Sequence, residues 1–172
     1  MRYKKRLYKI KALVFDVDGV LSISHIPLFP SGERVRYVNT KDSYALNLAA
    51  KKGLLLIIIT GGDSLVIQTH FSRIGFTEIY SDVTRKIDKL NEVMLKYKLD
   101  AGEILYMGDD IPDYEVMKVV GVPVCPADAV PEIKKISVYK TAKCGGQGCV
   151  REVVEHVLKA KGLWMIDEDA FS

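Results

Sequence analysis

Cysteine is scarce in this chain, and its count is odd. Cys125, Cys144 and Cys149 are the only three. They lack zinc-ligand spacing and do not form an even set, which excludes both a structural zinc site and a secreted disulfide framework. A reduced, cytoplasmic setting is the simplest expectation. Long apolar runs are missing too. The run over residues 54–59 falls far short of the ~20 residues that a membrane helix needs, and no apolar stretch of signal type opens the chain. No membrane partner is expected. Charge of one sign is also lacking: 25 basic residues against 22 acidic ones leave a net +3, which gives no case for a nucleic-acid partner. The single basic run, Lys4-Lys5-Arg6 with Arg2, Lys9 and Lys11, reads as a solvated N-terminal arm. There are no repeats, low-complexity tracts or composition shifts. The 172 residues fit a single domain, 1–172, with a full core.

What the chain does have is alternation. Residues 12–15, 54–59, 104–107 and 122–125 are short apolar runs, as expected of strands buried on both faces. Between them lie helical patterns. Ile87, Leu90, Val93, Met94 and Tyr97 make one stripe, and Val150, Val153, Val154, Val157 and Leu158 make another. Residues 42–52, 63–74 and 112–120 supply further helices, with Asp42 and Asp63 as candidate caps. Strand–helix alternation of this kind predicts an α/β fold with a doubly wound, mostly parallel, Rossmann-like sheet.

Residues 22–39 break the rhythm. Two arms flank Pro30-Ser31-Gly32-Glu33, and the second alternates as Arg34-Val35-Arg36-Tyr37-Val38. This predicts a projecting β-hairpin, too small to be stable alone and suited to packing on a neighbouring subunit.

The chemistry-bearing residues fall at the ends of the apolar runs, where an open parallel sheet binds its ligands. The first run leads into Asp16-Val17-Asp18-Gly19-Val20. One of these carboxylates can attack an electrophile while the other moves a proton, and a bound cation would hold the two negative charges together. The second run leads into Thr60-Gly61-Gly62-Asp63-Ser64, a hydroxyl and a glycine backbone suited to a phosphate. Lys86 opens a helix, and the third run leads into Gly108-Asp109-Asp110 with Asp113 shortly after. Each fragment taken singly is an ordinary turn, cap or surface residue. All four in this order make an active site.

That ordered set resembles the haloacid dehalogenase superfamily of phosphotransferases, over nearly the whole chain. The resemblance implies that Asp16 is the nucleophile, forming an aspartyl-phosphate, and that Asp18 is the general acid/base. Asp16, the backbone carbonyl of Asp18, and Asp109 would bind Mg²⁺, with Asp110 or Asp113 in support. Thr60, the Gly61 amide and Lys86 would hold the phosphoryl group, beside Gly62. The short span between the first two motifs leaves no room for a large cap. Within the superfamily the chain resembles the capless group that dephosphorylates 3-deoxy-D-manno-octulosonate 8-phosphate, a step in lipopolysaccharide precursor synthesis. Asn39, Thr40, Lys41, Asp42 and Ser43 follow the hairpin where that group has a substrate segment. Gly145-Gly146-Gln147-Gly148 matches its glycine-rich turn before the last helix. Members are typically homotetramers whose hairpins pack together and whose active sites are shared between subunits.

The chain departs from the group where arginine is common, at Gly62, Asn47, His70 and Gln147. Lys41, Arg36 or a residue of a neighbouring chain would have to replace these cations, and a nonulosonate 9-phosphate of neuraminate or deaminoneuraminate type is the alternative substrate. Two other classes fit less well. A response-regulator receiver places its phosphoacceptor mid-chain rather than first, and a non-catalytic oligomeric scaffold has no need of Asp16, Asp18, Lys86 and Asp109 together. Among the histidines, His25 reads as hairpin surface, His156 as an exposed helix position and His70 as a helix residue. Residues 163–172 are more apolar than a free tail needs to be and are expected to dock on this or a neighbouring subunit. Deleting them should alter turnover in steady-state kinetics; unchanged kcat and KM would retire a role for the tail in the site.

Overall fold

Ala12-Leu13-Val14-Phe15 offers water no polar face, so it is stable only as a strand covered on both sides. In the computed structural model, which describes residues 2–165 except 33, 63 and 64, it is the central strand β1 (Ala12–Phe15). On one side of β1 lie β2 (Leu55–Ile59) and then β3 (Glu78–Tyr80). On the other lie β4 (Ile104–Met107), β5 (Val122–Cys125) and β6 (Tyr139–Lys140). All five neighbouring pairs are parallel. The register pairs Ala12 with both Leu55 and Ile104, so the chain leaves β1 between the ends of β2 and β4.

Side chains alternate across this sheet. Leu13, Phe15, Leu56, Ile58, Leu105 and Met107 face one core, closed by α1 (Arg2–Leu7), α2 (Thr40–Lys51), α3 (Leu65–Ile74) and α7 (Cys149–Ala160). Ala12, Val14, Ile57, Ile59 and Tyr106 face the other, closed by α4 (Lys86–Tyr97), α5 (Tyr114–Val119) and α6 (Pro131–Ile136). The doubly wound parallel architecture is as expected.

Several expectations are corrected. The basic N-terminal run is a short helix, with Leu7 fully buried and Tyr3 stacked on Tyr139 at 4.6 Å; its apolar residues gain a core that the lysines around them concealed. The strands β3 and β6 and the helix α6 carry too few apolar residues to signal themselves. Leu54 precedes β2, and the stretch after β4 is a 3-10 turn (Ile111–Asp113) leading into α5. Asn39, not Asp42, caps α2, its Oδ1 accepting from Lys41 N at 2.9 Å. The Asp63 cap lies outside the described residues. His156 is half-buried between Tyr3 and Tyr139 rather than exposed.

The segment 22–39 doubles back, but two isolated bridges, Ser22↔Val38 and Leu28↔Arg34, replace a continuous ladder. Pro27 removes a backbone donor from its first arm and Pro30 one from the turn. It leaves Leu28 87% exposed and Tyr37 58% exposed. At the other end, Leu163 and Trp164 pack on the core of this same chain, and residues 166–172 lie outside the described residues.

One contact ties the chain's end to its beginning. The turn before α7 lies on the loop after β1 so closely that a Cβ at Gly145 would stand 1.9 Å from Gly19 O. Gly146 N donates to Val20 O at 2.8 Å, and Gly148 at φ 102 opens the helix. Asp42 reaches across from α2 and accepts from Arg151 N at 2.7 Å, satisfying a first-turn amide that has no partner within its own helix. Burial raises the Asp42 carboxyl to about 6. Replacing it (Asp42→Ala) should destabilise the protein by about 1–3 kcal/mol, the cost of leaving such a group unsatisfied, and Asp42→Asn by less. Urea unfolding measures both; an Asp42→Ala variant as stable as the parent would refute the cap.

Candidate active site

β1 delivers Asp16 to the carboxyl edge of the sheet, where its backbone N–H donates to Met107 O of β4 at 3.1 Å. The side chain is bound at both oxygens. Oδ1 accepts from Val17 N at 2.7 Å, and Oδ2 lies 2.9 Å from Lys86 Nζ. Lys86 opens α4 as expected and is 5% exposed. Its ammonium also lies 2.8 Å from Asp113 Oδ1. Asp113 is fully buried and accepts further from Tyr106 OH at 2.7 Å and from Asp109 N at 3.1 Å. Burial works against the Lys86 charge, but Asp16 and Asp113 outweigh it and push its pKa up.

The carboxylates outnumber the ammonium. Oxygens of Asp16, Asp109 and Asp113 lie within 4.8 Å of one another. Burial, then the neighbouring Asp113, raises Asp16 to about 6, against the pull of Lys86. Burial, then Asp16 and Asp113, raises Asp109 to about 8. Asp109 Oδ1 is buried with no hydrogen-bond partner among the described residues. A buried carboxylate oxygen left unpaired is costly, and a hard divalent cation such as Mg²⁺ relieves that cost with oxygen ligands of this kind. The residues fit the ion. Gly19 makes the space: at φ +88, its Cβ would stand 2.0 Å from Asp109 Oδ2. Asp113, taken up by Lys86, Tyr106 and the Asp109 amide, stands behind Asp16 and Asp109 rather than beside them.

Asp18 turns away from this cluster. Its side chain forms a two-bond ion pair with Arg36 of the 22–39 segment, at 2.7 and 3.0 Å. Thr60 is buried at the end of β2 and accepts from Gly62 N at 3.1 Å; among the described residues its own hydroxyl hydrogen has no acceptor. Gly62 adjoins Asp18, its Cβ position lying 3.3 Å from Asp18 Oδ2 and 3.5 Å from Thr60 Oγ1, so the Thr60-Gly61-Gly62 loop meets the Asp18 carboxyl.

The expected substrate residues divide. Asn39, Thr40 and Lys41 line a cleft of about 530 Å³ together with Lys143, Gln147 and Arg151. Asp42 lies beneath it, 2% exposed and bound to α7. Ser43 Oγ donates to Asn39 O at 3.3 Å. Asp110 is exposed and caps the 3-10 turn through Ile111 N at 2.8 Å. Asn47 donates to Ile74 O at 3.0 Å, and the His70 ring lies 5.0 Å from that of Phe71.

Tyr106 and Lys143 carry no signal in the sequence. Tyr106 lies inside an apolar run, although a tyrosine in a strand covered on both faces must find a partner for its hydroxyl. Lys143 joins the basic cleft. Arg36, a candidate to replace a missing substrate cation, pairs with Asp18.

Comparisons with known proteins give the chain its family. The haloacid dehalogenase-like hydrolase family matches residues 62–151, a span that holds Lys86 and Asp109. The 3-deoxy-D-manno-octulosonate 8-phosphate phosphatase KdsC of Escherichia coli (strain K12) is 33% identical over 153 residues, 89% of this chain and 81% of that protein. Among solved structures, the phosphatase of that name from Yersinia pestis superposes with a TM-score of 0.91 at 30% identity, covering 94% of this chain and 87% of that one. The one from Moraxella catarrhalis, in complex with magnesium, phosphate and KDO, superposes at 0.94 with 27% identity, covering 99% and 98%.

The raised Asp109 makes metal-free stability depend on pH. A carboxyl whose pKa rises on folding, here from the usual ~3.9 to about 8, stabilises the fold below its unfolded value and loses that contribution as pH climbs through the folded one. Thermal unfolding in chelator should therefore weaken towards pH 8, and less so for Asp109→Asn. Mg²⁺ should raise the Tm more at pH 8 than at pH 5, because it binds the deprotonated folded state. Equal Mg²⁺ shifts at both pH values would refute the site.

Proposed function

Because this chain belongs to the haloacid dehalogenase-like hydrolases, we propose that it is a Mg²⁺-dependent phosphomonoesterase. Its substrate is 3-deoxy-D-manno-octulosonate 8-phosphate, and its products are the free sugar acid and inorganic phosphate. The observation that carries this reading is the Asp16–Lys86–Asp113 chain beside the orphaned Asp109 oxygen, in a protein similar over most of its length to KdsC phosphatases.

Each residue has a task. Asp16, Asp109 and the Asp18 carbonyl would hold Mg²⁺, which would supply the charge neutralisation that lets an anionic nucleophile meet a phosphate dianion. Lys86 Nζ donates to Asp16 and Asp113 and keeps one of its three hydrogens for a phosphoryl oxygen. The Thr60 hydroxyl and the Gly61 amide take the others. An Asp16 carboxylate oxygen attacks phosphorus, the bridging P–O bond breaks, and the departing alkoxide takes a proton from Asp18. Asp18 then takes a proton from water as that water attacks the phosphorus of the aspartyl-phosphate. Phosphate leaves and the Asp16 carboxylate returns.

The basic cleft of Lys41, Lys143 and Arg151, which Gln147 also lines, suits the sugar-acid carboxylate in a chain that lacks arginine at Gly62 and Gln147. Those same absences favour a nonulosonate 9-phosphate as the second candidate. The exposed Leu28, Phe29 and Tyr37 of the 22–39 segment support assembly through that segment, as a homotetramer. No helix of the described residues is long and apolar enough to cross a membrane, and a cytoplasmic setting matches a sugar-phosphate substrate.

Phosphate release with Mg²⁺ across eight- and nine-carbon sugar-acid phosphates is the test. The eight-carbon substrate should give the highest kcat/KM. Asp16→Asn should reduce release to background while staying folded, and Asp18→Asn should lower it by roughly 10²–10⁴-fold. Undiminished turnover in Asp16→Asn would sink the mechanism, and preference for a nine-carbon substrate would move the assignment to the second candidate.

A further inference from the structure

The 22–39 segment places a guanidinium on the acid–base carboxylate. Arg36 Nε lies 2.7 Å from Asp18 Oδ1 and Nη2 lies 3.0 Å from Oδ2. Ser22 Oγ donates to Oδ1 at 3.2 Å. The Arg36 side chain is 7% exposed, so water does little to compete for the fork. A carboxylate oxygen has two acceptor positions. Oδ1 faces Arg36 and Ser22, whose single hydroxyl hydrogen it shares with Ile23 O at 3.1 Å. Among the described residues Oδ2 accepts only from Arg36, which leaves one position open. Oδ2 is also the oxygen beside the phosphate loop: a Cβ at Gly62 would stand 3.3 Å from it and 3.5 Å from Thr60 Oγ1.

We propose that Arg36 is a positioning residue for the phosphatase reaction. It fixes the Asp18 carboxyl so that a single oxygen, with a single open position, faces the reacting phosphate. The bare Gly62 is the other half of the device, since its Cβ would press to 3.0 Å from Arg36 Nη2. The fork therefore exists in a chain that has no side chain at position 62. A lysine cannot replace it, because an ammonium does not present two parallel donors. The inference rests on the hydrolase reading above, with Asp18 as acid and base.

Pre-steady-state kinetics with p-nitrophenyl phosphate test it. Its leaving group departs without a proton, so formation of the aspartyl-phosphate needs no acid, whereas hydrolysis of that intermediate still needs Asp18 as base. Arg36→Met should keep the rate of the nitrophenolate burst near that of the parent while steady-state turnover falls roughly 10²-fold, the scale set by misplacing a reacting group by an ångström. Arg36→Lys should recover little. The double variant Arg36→Met/Asp18→Asn should be no slower than Asp18→Asn alone, since one residue acts through the other. Unchanged turnover in Arg36→Met would overturn the proposal. So would losses that multiply with Asp18→Asn, or burst and turnover falling together with the melting temperature. A parent protein that releases no phosphate from any substrate would instead overturn the hydrolase reading and carry this inference down with it.

Discussion

One ammonium buried among three carboxylates is the constraint on which the site depends. Lys86 lies between Asp16 and Asp113, with Asp109 beside them, all at the end of the central strand. Charges at this spacing interact strongly once water is excluded, and a single cation cannot balance them. The excess of negative charge calls for a metal cation. The same crowding raises Asp16 and Asp109 and makes Asp113, held by Lys86, Tyr106 and a backbone amide, a fixed support. The sheet order places β1 between β2 and β4, which is why a nucleophile, a phosphate loop and a metal ligand from distant stretches of chain meet in one place.

Around that fixed centre the structure separates two kinds of precision. Asp16 is held by groups of the core, whereas Asp18 is held by Arg36, carried on a segment with little hydrogen-bonded structure of its own. Asn39, Thr40 and Lys41 continue from that segment into the basic cleft. The Asp18 carboxyl and the basic cleft thus share one support, and whatever steadies the 22–39 segment steadies both.

The parts legible in the sequence were those written in strong local signals. Four apolar runs gave the central strands, periodic stripes gave α4 and α7, and Asp16, Thr60, Lys86 and Asp109 were placed by the rule that ligands gather beyond the carboxyl ends of parallel strands. The remainder depended on partners far away in the chain. Asp42 read as a helix cap or a substrate group because nothing local tells that Arg151 N lies 2.7 Å from it. Tyr106 read as core, and its hydroxyl is a site component only because Asp113 comes back beneath it. The arm that forms α1 looks solvated in sequence since Tyr3 and Leu7 among cations do not announce a core. Long-range satisfaction of polar groups is what local pattern reading lacks.

The glycine turn at 145–148 carries a consequence for synthesis. Val20 O accepts from Gly146 N at 2.8 Å and from Cys149 Sγ at 3.4 Å, the second contact spanning 129 residues. In vectorial synthesis the loop after β1 therefore precedes by 129 residues the Cys149 thiol that braces it. A chain stalled before residue 145 carries Asp16, Asp18, Thr60, Lys86 and Asp109 but lacks the clasp that holds the first two in place.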